Sequence, residues 1–159
     1  MRRILPLASL VTLSLVASSV VLAQDSPFVG TWKLNPVKSK FTGTQPLKSQ
    51  TRTEVAQRDG FKVTYEGIAA DGSRISYSYT TNLDGKDSPY SGREPNGADT
   101  LAVTRVDAHT RTVVHKKAGK TLYTTRGVVS KDGKVLTITS KGMNAQGQPI
   151  NVTRVWDKQ

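Results

Sequence analysis

The sequence predicts an all-β fold, a single antiparallel up-and-down β-barrel (a meander) of about nine or ten strands. Period-two alternation rich in Thr, Val, Tyr and Ile recurs after residue 23, and no useful length shows a helical apolar period. Turn signals at Asp59-Gly60, Asp71-Gly72, Asp84-Gly85, Gly119, Asp132-Gly133 and Gly147 separate these runs at hairpin spacing. So many short strands must dispose of their sheet edges, and closing the sheet does so. A two-sheet sandwich is the architectural rival.

Met1 to Ala23 reads as a signal peptide. Arg2 and Arg3 supply the charged start, Ile4 to Leu22 is uncharged, and Val21-Leu22-Ala23 offers small residues for cleavage. An uncharged run of this length could also just span a bilayer, so a retained anchor is the alternative; Pro6 and the Ser/Thr/Ala-rich second half favour cleavage. The expected mature protein is one barrel domain, residues 24–159, secreted or periplasmic and without a stable membrane anchor.

Phe28, Gly30, Trp32 and Leu34 share one face of the first strand by alternation. Asn35 to Pro46, with two prolines, reads as irregular. In the next hairpin, Ala70-Asp71-Gly72 forms a three-residue loop that sets Ala69 opposite Ser73, Tyr65 opposite Tyr77 and Val63 opposite Tyr79. A two-residue loop would put the apolar sets on opposite faces, which a half-buried sheet cannot accept. Ser88 to Asp99, rich in Pro, Gly and Asn, again reads as irregular. Leu101 and Val103 share a face with Arg105, whose direction, like that of His115, the surrounding turns leave open.

The same three-residue rule at Lys131-Asp132-Gly133 pairs Val128 with Leu136 and Arg126 with Ile138. At Ala145-Gln146-Gly147 it pairs Ile138 with Arg154 and Leu136 with Trp156. One face of the last three strands is then expected to carry Leu122, Arg126, Val128, Leu136, Ile138, Ile150, Val152, Arg154 and Trp156. Two arginines stand on an otherwise apolar face.

Composition excludes several chemistries. With no cysteine there is no disulfide, no thiolate nucleophile and no lipobox cysteine. The formal charge of +11, two units of it from the leader, favours anionic partners. The basic residues are nevertheless scattered, without the one-face footprint of a specific nucleic-acid binder. His109 lies in an expected turn and His115 among lysines, with no acidic residue spaced for a triad or metal site, so neither catalysis, metal nor cofactor is expected. Heme ligation by His115 would rest on one histidine alone. Asn151-Val152-Thr153 is a glycosylation sequon inside an expected strand.

The chain's ends carry a resemblance. "FVGTWKL" near the start and "TRVWDK" at the end are similar to the calycins, which include lipocalins and intracellular fatty-acid-binding proteins. The latter open with a phrase like FxGTWKL and finish with one like TRxYxK. The resemblance implies a ligand-holding barrel in which Arg154 matches the arginine that binds fatty-acid carboxylates. Two departures stand out: no helical pattern follows the first strand to make a lid, and Trp156 replaces the family's tyrosine. The chain looks more like a bacterial-style secreted lipocalin-like protein than a cytosolic carrier.

Trp32 is expected to plug the closed end, its indole partly covering an arginine of the last strand, with Gly30 allowing close backbone approach. Arg126 and Arg154 could converge on one anionic group above Ile138. An unpaired guanidinium inside an apolar barrel is costly, so an inward acid, water, Trp32 or a ligand carboxylate must satisfy it. Either Arg154 stacks on Trp32 while Arg126 points into a polar rim, or the pair reads a ligand. Tyr65, Tyr77 and Tyr79 form a ladder with Val63 and Ile75 that serves core packing or lines a cavity. The expected function is non-covalent binding of a small amphipathic, anionic molecule. The alternative is a filled-barrel envelope protein acting through its basic exterior on anionic polymers or a protein partner.

Overall fold

The computed structural model describes residues 26–44 and 46–159; the signal-peptide expectation for residues 1–23 lies outside the described residues. Eleven strands follow in chain order: β1 (Gly30–Thr42), β2 (Leu47–Gln57), β3 (Gly60–Ala69), β4 (Arg74–Thr81), β5 (Asp84–Pro89), β6 (Ser91–Gly92), β7 (Thr100–Arg105), β8 (Thr110–Lys117), β9 (Lys120–Val129), β10 (Val135–Met143) and β11 (Pro149–Lys158). All pair antiparallel in one sheet of order β5-β7-β8-β9-β10-β11-β1-β2-β3-β4-β6. The count exceeds the expectation because one short segment contributes both β5 and β6. That segment runs along β7 as β5, passes through Tyr90, and pairs with β4 as β6. Both free edges of the sheet are thereby drawn onto a single stretch of chain, leaving an almost closed all-β barrel.

Two hairpins carry the expected register. Ala69 N–H donates to Ser73 O at 2.9 Å, and Tyr65 faces Tyr77 and Val63 faces Tyr79. Ile138 faces Arg154 and Leu136 faces Trp156.

The β9–β10 hairpin departs from expectation by one residue. Leu136 pairs with Val129, Ile138 with Gly127 and Thr139 with Arg126. The cause is local: the Ser130 hydroxyl accepts Val135 N–H at 2.9 Å and donates to the Asp132 carboxylate at 2.5 Å, while Gly133 N–H closes a turn on Ser130 O at 2.9 Å. The loop is therefore four residues, Lys131–Lys134, and a one-residue change flips every side chain of the strand. Tyr123, Thr125 and Gly127 face the interior, Val129 joins the core, and Arg126 is exposed. Arg126 and Val128 are thus on the outer face rather than the inner one; Leu122, skipped by the β8 ladder, is half-buried.

The stretch from Asn35 is also more regular than expected, since β1 continues to Thr42. Pro36 is absorbed in a bulge between Asn35, opposite Val155, and Lys40, opposite Thr153. The Ser39 hydroxyl substitutes for the lost ladder, donating to Asn35 O at 2.7 Å and accepting Val155 N–H at 3.0 Å.

The main core sits at one end. Phe28, Trp32, Leu34, Val129, Leu136 and Trp156 form it, with Trp32, Leu136 and Trp156 fully enclosed. Residues 26–29 cross this end as a plug, held by Trp32 Nε1–H donating to Phe28 O at 2.9 Å. Lys158, not an arginine, covers the Trp32 ring, at 4.9 Å from its centroid. Gly30 is needed for its φ of 125°, since a Cβ there would meet only the Lys158 side chain, at 3.0 Å, and no backbone.

Candidate functional site

The barrel interior is not filled. A cavity of about 970 Å³ runs from the plugged floor, with Phe28, Arg52, Arg111, Leu136 and Trp156, to a mouth formed by the β1–β2, β3–β4, β6–β7 and β10–β11 loops. Exposed Asp71, Arg74, Arg93 and Gln148 edge the mouth.

One wall is aromatic. Alternation on β3 and β4 turns Tyr65, Tyr77 and Tyr79 inward. Tyr65 and Tyr77 stack with centroids 4.8 Å apart, and Tyr65 meets the edge of Trp156 at 6.0 Å. Tyr90, at the crossing from β5 to β6, stands edge-on to Tyr77 and Tyr79 at 5.8 Å from each and closes the seam from inside. Its hydroxyl is 2.7 Å from His115 Nδ1, and His115 Nε2 is 3.0 Å from Thr125 Oγ1. The imidazole lies flat on Tyr123, 4.0 Å between centroids. His115 therefore faces inward. Burial, with a smaller contribution from nearby Arg154, pulls its pKa down to about 3, so the ring is neutral near pH 7. Burial likewise raises the Tyr77, Tyr79, Tyr90 and Tyr123 hydroxyls, which serve as neutral hydrogen-bonding groups.

Arg154 projects from β11 into this space beside Ile138, both lining the cavity. It is the β11 residue that the bulge leaves without a partner on β1. Its guanidinium lies 5.7 Å from the centroid of Phe41, not on Trp32. Among the described residues no carboxylate lies within 4.0 Å of it, and its buried Nε has no hydrogen-bond partner. Glu94, a buried acid that also lines the cavity, is already saturated by Tyr123 Oη–H (2.9 Å), Asn96 Nδ2 (2.9 Å), Asn96 N–H (2.9 Å) and Ala98 N–H (3.0 Å). It organises the mouth loop instead of pairing with Arg154. The two arginines expected to converge above Ile138 do not, because Arg126 is outside.

A second group of charges lies at the floor. Glu54 is fully enclosed and bound by two guanidiniums, Arg52 Nη2 at 2.5 Å and Arg111 Nη1 at 2.7 Å. Arg111 also donates to Ser26 Oγ at 2.8 Å and covers the Phe28 ring at 4.0 Å. Apolar patterning gives no sign of this group, since the inward residues of β2, Gln50, Arg52 and Glu54, are polar. The Asp59-Gly60 turn carries the signal: the ladder it starts sets Glu54 opposite Val63 and Arg52 opposite Tyr65, so the faces of Val63 and Tyr65 fix theirs.

No protein-family model matches the chain, and no curated protein sequence matches it. Similar solved structures include zebrafish ileal bile acid-binding protein complexed with cholic acid, at 17% identity and a TM-score of 0.51, covering 84% of this chain and 100% of that one. A redesigned β-barrel, mFAP1, bound to DFHBI aligns at 14% identity and a TM-score of 0.46, over 86% of this chain and 97% of that one. Lobster apocrustacyanin A1 aligns at 13% identity and a TM-score of 0.40, over 86% of this chain and 63% of that one. The first of these supports the fold: the chain forms the calycin-type β-barrel that its terminal motifs imply.

Proposed function

We propose that this calycin-type barrel binds one small amphipathic acid non-covalently, with Arg154 orienting the acidic end and the aromatic wall covering the body. The observation that carries the reading is Arg154 itself, a guanidinium on the wall of a cavity of about 970 Å³ with no carboxylate partner among the described residues. The volume is at the upper end of the range for small-molecule sites, roughly 300–1,000 Å³. Tyr65, Tyr77 and Tyr79 offer apolar faces and hydroxyls, and Ile138 adds aliphatic surface beside Arg154. The bile acid-binding protein of similar fold is complexed with cholic acid, itself an amphipathic acid. A filled barrel acting only through its exterior lacks its premise in so open an interior. The leader pattern of residues 1–23 supports action after export, in a secreted or periplasmic setting.

Titration with a fluorescent fatty acid tests this. Arg154→Ala is expected to weaken binding by at least about tenfold, the loss of one charge-assisted contact, while lowering Tm little. Unchanged affinity with a sharply lowered Tm would make Arg154 a packing residue and contradict the reading.

A further inference from the structure

Among the described residues, the floor of the cavity carries more positive than negative charge. One carboxylate, Glu54, faces two guanidiniums, and a carboxylate neutralises only one. Arg111 is built into the plug through Ser26, Phe28 and Phe61. Arg52 is not so committed. Its side chain is 4% exposed and its Nε donates to Tyr65 Oη at 3.1 Å, yet its Nη1 has no acceptor among the described residues. A whole uncompensated charge in such a place is strongly unfavourable unless an anion meets it.

Arg52 lines the same cavity as Arg154. It is opposite Trp32, which is opposite Lys158, four residues beyond Arg154 on β11. The two arginines are thus separated by about 13 Å of strand. Between them on β11 lies Trp156, whose buried Nε1–H also has no acceptor among the described residues. The path from Arg154 to the floor offers donors without matching acceptors.

We propose that Arg52 forms a second anion subsite at the floor, so that the preferred ligand is a diacid, one acidic group held by Arg154 and the other by Arg52. This rests on the reading of the cavity as an acid-binding site. Tyr65 steadies Arg52 through its hydroxyl, and Glu54 with Arg111 anchors it from behind.

The test is displacement of anilinonaphthalene sulfonate by a homologous series of α,ω-dicarboxylic acids and by monocarboxylic acids of the same lengths. At a matching length the diacid is expected to bind at least about tenfold more tightly than the monoacid. Arg52→Gln should abolish that preference and leave monoacid affinity within about twofold, whereas Arg52→Lys, which keeps the charge, should retain part of it. Because Arg52→Gln leaves a neutral Glu54–Arg111 pair, its ligand-free Tm should not fall below that of the wild type. A sharply lowered Tm would make Arg52 a structural partner of Glu54 and overturn the subsite. So would equal binding of mono- and diacids at every length, with the acid-binding reading intact. Monoacid binding strengthened by added chloride or phosphate would assign the floor to a free inorganic anion and overturn the diacid. Failure of the wild type to bind any acid would overturn the acid-binding reading as well.

Discussion

His115 shows how one enclosed side chain ties the site to stability. It bridges Tyr90 and Thr125 as a neutral ring, its pKa held down to about 3 by burial and by Arg154. The unfolded chain takes up a proton near pH 6.5, while the folded ring stays neutral. The contribution is therefore complete above about pH 6.5 and lost as pH falls, by about 1.4 kcal/mol per unit until about pH 3. Urea denaturation of the wild type and His115→Gln across this range checks it: the difference in stability between them should shrink or reverse on acidification, and parallel curves would contradict it. At this scale sequence reading found Arg154, because a turn of ordinary chemistry fixed the β10–β11 register. It missed Arg52, Glu54 and Arg111, because buried charges leave no mark in an apolar pattern and only cross-strand pairing with Val63 and Tyr65 reveals two of them.

At the scale of strands and turns, two Asp-Gly loops with similar sequences behave differently. Ala70-Asp71-Gly72 closes in three residues, while the second loop takes four because Ser130 captures the Val135 amide. That hydroxyl separates an inward Arg126 from an outward one. Ser130→Ala, which removes that hydroxyl, should lower stability by about 1 kcal/mol by urea denaturation, the cost of a lost turn hydrogen bond. A Ser130→Ala variant as stable as the wild type would contradict this account of the turn. The bulge in β1 has the same character. Pro36 suggests that the strand stops, but Ser39 supplies the hydrogen bonds that let it continue to Thr42, and the bulge leaves Arg154 without a partner on β1. Side chains that replace a single backbone bond are too local for a hydrophobic pattern to register.

Across the whole molecule, alternation and turn spacing made the barrel legible, and the terminal motifs placed Trp32 at its closed end. The manner of closure was hidden, since a Pro- and Gly-rich stretch changes neighbours at Tyr90 between β7 and β4. The absence of a helical pattern after β1 was legible too, and among the described residues the mouth is shaped by loops and strand ends. A barrel of this kind, plugged at one end and open at the other, with a guanidinium between that has no carboxylate partner among the described residues, is organised to hold a molecule. Native mass spectrometry of wild type and Arg154→Ala purified gently from the host tests that most directly. The account predicts one small acid bound per wild-type chain and none on the variant. A wild type carrying only its own mass, or an adduct held equally by both proteins, would contradict it.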